Sequence, residues 1–204
     1  MNNLKLEVFS DYVCPWCYLG DARVKKIKKT YQIDIQFVHF PLHPETPLEG
    51  RKLLDLFRSS QNDIDQKNQN MSELMKKEGL PFNHRTYTFN SRLAQEIGAW
   101  AETKDKNTSI HDHFFEAYFV NGYNIGLENV ILDVVDKSGL DRNEAKNIIE
   151  KRTFSNVIDQ HWTKSRNYGV TGVPTYVYNN QSIVGAQPIE NLFNFLDYFN
   201  VPKI

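Results

Sequence analysis

Two cysteines stand three residues apart in Cys14-Pro-Trp-Cys17, and the 204-residue chain has no others. Two thiols at this spacing can close into a disulfide and reopen, carrying two electrons each time. A structural staple is the wrong reading, because the stabilisation a disulfide gives grows with the loop it closes, and this loop is minimal. Secreted disulfide scaffolds also use more cysteines, spread along the chain. The pair therefore reads as chemical. Two other uses stay open at this level. The thiols are inert and buried, or they are half of a zinc site completed by His111-Asp-His113 or His161. Against zinc, the pair leads straight into an amphipathic helical pattern and no second C-x-x-C follows.

The flanking residues say how the pair is held. Leu4 to Asp11 alternates apolar and polar residues at Leu4, Leu6 and Val8, which predicts a strand. A helix is expected from near Pro15 to Tyr31, with Leu19, Ala22, Val24 and Ile27 inward and Lys25 to Lys29 as a solvated face. Cys14 then falls at the helix N-terminus, where unpaired N–H groups and the helix dipole favour a thiolate over the free thiol of pKa ~8.5. Pro15 in the first turn forfeits no hydrogen bond. Cys17, one turn in, should be more buried and able to resolve a mixed disulfide formed on Cys14. A second strand over 33–40 completes a βαβ unit with parallel pairing.

From Pro41 to Tyr168 the pattern is almost wholly helical. Segments are expected over 49–59, 63–78, 91–103, 111–120, 128–137, 143–152 and 155–168. Asn90 and Asp141 are N-cap candidates, and Gly79 and Gly139 are stops. The period then returns to two. Thr175 to Tyr178, the turn Asn179-Asn180, and Gln181 to Val184 predict a hairpin, and Pro188 opens a last helix. The fold class is therefore α/β. Residues 1–40 and 169–204 would complete each other as one discontinuous domain with a four-stranded sheet, and 41–168 would be an all-α insertion. This βαβ…ββα order is similar to the thioredoxin arrangement. In such a fold Gly172-Val-Pro174 falls where a cis proline faces the dithiol, leaving the Val173 backbone to pair with an extended peptide. Pro15, Trp16, Val173 and Pro174 are the expected substrate groove.

Composition narrows the partners. The formal net charge of −1 gives no electrostatic footprint for nucleic acid. No run of 18 apolar residues suggests a membrane span, and the N-terminus lacks the apolar stretch of a signal peptide, so a cytosolic setting is expected. No metal and no resident cofactor is expected.

Phe9-Ser-Asp-Tyr-Val-Cys-Pro-Trp-Cys-Tyr-Leu-Gly20 resembles the active-site segment of DsbA-family thioredoxin-fold proteins of the FrnE-like branch. The resemblance continues at Phe89 to Ala94, Phe115 to Phe119, Asn124-Ile-Gly126, Gly139-Leu-Asp141, Gly169 to Pro174 and Gly185-Ala-Gln187. It implies a dithiol–disulfide oxidoreductase or disulfide isomerase acting on protein or peptide thiols, with glutathione or a cellular dithiol as redox partner. By position it makes Cys14 the nucleophile, Cys17 the resolving thiol and Pro174 the cis proline. Gln95 departs from the family's usual His, which removes a titratable group. Pro15-Trp16 replaces the Pro-His of DsbA, and without that His a weaker oxidant than DsbA is expected. Kappa-type glutathione transferases and 2-hydroxychromene-2-carboxylate isomerases resemble the chain in architecture, but typically carry a serine where Cys14 stands. A non-enzymatic adaptor using the groove is a third reading. Trp100, Trp162 and the phenylalanine-rich end are expected to be core. His39, His43 and His84 are expected on loops or the surface, and Asp11 either in a helix-entry hydrogen bond or in proton transfer.

Overall fold

A computed structural model describes residues 4–104 and 109–204. Strand β1 (Lys5–Ser10) pairs in parallel with β2 (Asp34–His39), Val8 lying against Phe37. Between them runs α1 (Pro15–Thr30), giving the right crossover length for a parallel pair. After the long helical segment, β5 (Thr175–Tyr178) joins β1 antiparallel, and β6 (Gln181–Val184) pairs with β5, so the sheet order is β2-β1-β5-β6. The β5–β6 turn places Asn179 and Asn180 at φ 48° and 60°, the left-handed pair of a type I′ hairpin.

Alternation along β1 decides what each face of the sheet covers. Leu6 and Val8 join Val24 and Ile27 of α1, Tyr176 of β5, and Leu192 and Leu196 of α9 (Ile189–Tyr198) in one buried cluster. Burying each such aliphatic side chain contributes roughly 1.5–3 kcal/mol. Glu7 and Phe9 instead meet the C-terminal half of α8 (Ser155–Asn167) and the residue after it, through Lys164 and Tyr168.

Contacts divide the chain into two compact units, Met1–Leu42 with His161–Ile204, and His43–Gln160. The second boundary lies between Gln160 and His161, within α8, rather than after 168 as expected from sequence, and residues from His161 onward pair with β1 and β2 side chains and backbone. The second unit holds α2 (Leu53–Phe57), α3 (Gln61–Lys77), α4 (Arg92–Ala101), α5 (Ser109–Phe119), α6 (Glu128–Lys137) and α7 (Arg142–Lys151). It is not purely helical. Arg51–Lys52 (β3) pairs with Tyr87–Thr88 (β4), so the helix expected from 49 begins only at Leu53. Ser60 and Asp63 form a reciprocal capping box on α3, and Asp141 accepts from Asn143 and Glu144 at the start of α7. Gly79 and Gly139 each follow a helix at φ near 72° and 71°, where a side chain would be strained. Ile97, Trp100, Phe114, Phe115, Phe119 and Ile131 are among its buried core. No helix among the described residues is long and apolar enough to cross a membrane.

Candidate active site

Cys14 is the N-cap residue of α1, in extended conformation at φ −92° and ψ 115°, with Pro15 opening the helix and no acidic residue in the first turn. Its carbonyl accepts from Cys17 N and Tyr18 N at 3.0 and 3.2 Å, and its own N–H donates to Asp11 O at 3.1 Å. The Asp11 carboxylate fixes the approach, accepting from Val13 N at 3.1 Å and Leu42 N at 3.0 Å. Asp11 is thus a helix-entry anchor, with both oxygens engaged by backbone.

The hairpin comes back to the same place. The Val173–Pro174 peptide bond is cis. Cys14 Sγ–H donates to the Val173 carbonyl at 3.5 Å, across 159 positions of sequence. Cys14, Cys17, Val173 and Pro174 are therefore brought together, and all four are buried. Cys14 is 4% exposed and Cys17 2%, so the sulfur at the helix tip is nearly as enclosed as the one behind it. Pro15 is half-buried, and Trp16, 45% exposed, turns outward from the first turn.

Burial pushes the Cys17 thiol well above its ordinary range, and the neighbouring Cys14 adds to the effect through a hydrogen bond and charge. The Ser10 side chain and the Asp11 backbone act in the opposite direction. Burial thus disfavours the thiolate form of Cys17. Both cysteines are free thiols in this structure.

The pattern of the DSBA-like thioredoxin domain family matches residues 5–197. The chain belongs to that family. It is 27% identical over 189 residues to the Bacillus subtilis protein YwbO, covering 89% of this chain and 90% of that one. Among solved structures it is similar to a probable DsbA oxidoreductase from Streptomyces coelicolor, with a TM-score of 0.89 and 21% identity over 96% of this chain and 89% of that one. The cytosolic disulfide reductase DsbM of Pseudomonas aeruginosa matches at 0.71 and 18% identity, over 97% and 98% of the two chains. A 2-hydroxychromene-2-carboxylate isomerase matches at 0.68 and 18%, over 97% and 95%. These likenesses establish the fold: a DsbA-like thioredoxin domain with a helical insertion.

Several side chains around the dithiol carry no sequence signal. Arg23, 8% exposed, donates from Nη1 to the carbonyls of Ala186 and Gln187 at 2.5 and 2.6 Å, tying α1 to the loop after β6. Tyr176 lies wholly buried with its hydroxyl near Gly20 of α1. An alternating strand gives no warning that one of its aromatics will reach a helix 156 positions away in sequence. His39 corrects the expectation of a surface histidine. It is 2% exposed at the end of β2, its ring stacks on His161 at 5.7 Å, and its backbone N–H donates to His161 Nδ1 at 3.2 Å. His43 is half-buried in the helical unit, where burial first, then Arg85 and Arg51, push its pKa below the usual imidazole value. His84 is exposed.

The histidines weighed as zinc ligands are used elsewhere. His111 Nε2 lies 3.1 Å from Glu102 Oε1, and His113 Nδ1 lies 2.8 Å from Ser138 Oγ. Among the described residues no group of three or more His, Cys, Asp or Glu side chains is placed to hold a metal ion. Gln95, in place of the family's usual His, is fully buried and donates to Ser91 Oγ at 3.2 Å within α4.

Proposed function

We propose that the protein exchanges dithiol for disulfide on protein or peptide substrates, with Cys14 as nucleophile and Cys17 as resolving thiol. The observation that carries the reading is Cys14 at the N-cap of α1 with its sulfur against the Val173 carbonyl. The helix N-terminus stabilises negative charge on Cys14 sulfur as it attacks. The backbone of Val173 offers an extended substrate a main-chain partner, and Pro15, Trp16 and Pro174 frame the groove around it. Attack of the Cys14 thiolate on a substrate disulfide forms a mixed disulfide and releases one substrate thiolate. Cys17 then attacks Cys14 sulfur, the Cys14–Cys17 bond forms, and the second substrate thiolate leaves. The reverse sequence oxidises a substrate dithiol.

Within the family the reading is of a FrnE-like branch member in the cytosol, where a reducing pool holds the pair as the dithiol. The cytosolic disulfide reductase DsbM, a fold neighbour, has also been solved with glutathione, and glutathione is the redox partner proposed for this chain. Trp16, which stands half-exposed where DsbA carries His, adds no cation beside Cys14. The potential should accordingly lie well below the ≈ −120 mV of DsbA.

The test is thiol-dependent reduction of insulin disulfides, with reactivation of scrambled ribonuclease alongside. Cys14→Ser should abolish both, and Cys17→Ser should accumulate a mixed disulfide. Equal turnover in both variants overturns the reading. The fold likeness to 2-hydroxychromene-2-carboxylate isomerase gives the second reading, glutathione-dependent chemistry on a small aromatic substrate. That activity would survive Cys17→Ser, whereas dithiol exchange would not.

A further inference from the structure

Tyr176 is 0% exposed and its hydroxyl has no hydrogen-bond partner among the described residues. Packing alone does not explain it. Phenylalanine would fill the same space in the cluster of Val8, Val24 and Ile27 without burying an unsatisfied hydroxyl, which costs stability. The location of the oxygen is specific. A Cβ added to Gly20 would lie 2.6 Å from Tyr176 Oη and 3.0 Å from Pro174 Cγ. Gly20 follows Cys17 by three positions, so the two share a helix face, with Cβ positions at such spacing roughly 5–6 Å apart. The absent side chain at Gly20 leaves room for the phenol oxygen against α1, one turn beyond Cys17.

The charged and titratable groups facing this hydroxyl are few. Burial is the first cause that keeps Tyr176 protonated, and among charges Cys17 acts on it most, followed by Arg23, Asp21 and Cys14. Arg23 is committed to two carbonyls and Asp21 to Lys25. Cys17 is also faced by the Ser10 side chain and the Asp11 backbone, which favour its thiolate. Tyr176 is therefore a protonated donor held close to Gly20, one helical turn along α1 from a thiol whose ionisation burial opposes.

We propose that Tyr176 Oη–H donates a hydrogen bond to Cys17 Sγ as that thiol ionises, and so promotes the resolving attack. The inference rests on the dithiol reading above. In the step, the Cys17 thiolate forms a bond to Cys14 Sγ, the bond from Cys14 to substrate sulfur breaks, and the electron pair leaves on the substrate thiolate. The proton lost by Cys17 passes to solvent, from which the departing thiolate takes one up only if it is basic enough at the working pH. Tyr176 keeps its own proton throughout. Cys14 and Cys17 are oxidised by two electrons and the substrate disulfide is reduced by two.

The test separates the two attacks with an aromatic disulfide that releases a coloured thiolate, 5,5′-dithiobis(2-nitrobenzoate). The first release reports attack by Cys14 and the second reports attack by Cys17. Tyr176→Phe should leave the first release unchanged and slow the second about tenfold at neutral pH, the scale of one hydrogen bond to a charged sulfur. The pH profile of the second release should shift upward, which a merely structural role would not cause. Thermal stability should hold or rise, because the orphaned hydroxyl is gone. An unchanged second release with an unchanged pH profile overturns the proposal. If the unsubstituted protein gives a first release and never a second, the dithiol reading fails and takes this proposal with it.

Discussion

In the helical unit, Glu96 is fully buried and both carboxylate oxygens are engaged. Arg92 Nε and Arg152 Nη2 donate to Oε1 at 2.8 and 2.5 Å, and Arg152 Nε donates to Oε2 at 2.9 Å. Arg92 continues to Ser155 and to Asp159 at 2.8 Å. Buried hydroxyls without a partner among the described residues occur in both units, at Thr46 and Thr88 in the helical one and at Tyr176 in the sheet one, and Tyr176 differs in lying close to Gly20, one turn beyond Cys17. A buried charge that is fully compensated holds structure, since its removal leaves a neighbour stranded. A buried donor left unfilled beside a nucleophile is available for charge that appears only during reaction. Glu96 thus uses buried polarity for packing, whereas Tyr176 stands where the proposed chemistry would use it.

Cys14→Ser should break the comparison most sharply. It replaces one sulfur by oxygen at an unstrained helix entry, so disulfide exchange should vanish while the thermal midpoint moves by about 2 °C or less. Insulin reduction and calorimetry on one preparation check it. Glu96→Ala should do the opposite. Removing one member of a buried ion network costs about 3–5 kcal/mol, chiefly in the helical unit, because two guanidiniums lose their shared acceptor. Denaturant unfolding measures the loss. A loss below about 1 kcal/mol would show that solvent already screens the half-exposed Arg152.

The parts that were legible in sequence are those where local chemistry and period agree. The α6 helix and both strands of the hairpin have the bounds their patterns predict, because Leu132, Val135 and the Asn179-Asn180 turn answer to neighbours close in sequence. Cys14 at the helix tip was legible for the same reason, a strand pattern running directly into Pro15. Illegible parts depend on partners far along the chain. Arg51 and Lys52 read as a helix start until Tyr87 and Thr88 offer them a ladder. His39 looks like a strand-end histidine until α8 covers it. Arg152 sits at φ 51°, where glycine is usual, and only Glu96, 56 positions away, explains an arginine there.

Gly20→Ala sharpens the account of the thiol unit at smaller scale. A methyl group 2.6 Å from a rigid phenol oxygen and 3.0 Å from Pro174 must displace one of them, costing about 1–3 kcal/mol as overpacking does. Tyr176→Phe removes the closer contact. In a double-mutant cycle it should recover part of the loss, whereas the same Phe paired with Glu96→Ala should add independently. Denaturant unfolding of the six proteins (the parent, three single variants and two double variants) gives both coupling energies.

The smallest effect concerns pH. Cys17 holds its proton in the folded protein well past the ordinary thiol value of 9.0, because burial opposes the thiolate. Above that value the unfolded chain binds fewer protons at this site than the native one, so stability falls with rising pH. The contribution is complete below pH 9 and is lost as pH rises toward the folded-state value of Cys17. The slope should approach about 1.4 kcal/mol per pH unit once the unfolded thiol is fully ionised. Tyr31 and Tyr176, also held protonated by burial, add their own decline only above their ordinary value of 10.0. The interval between 9 and 10 therefore isolates the thiol. Urea unfolding of the reduced protein should weaken across it more steeply than that of Cys17→Ser or of the oxidised protein. A decline of equal size in all three would exclude Cys17 as its source and overturn the thiol's part in the pH dependence.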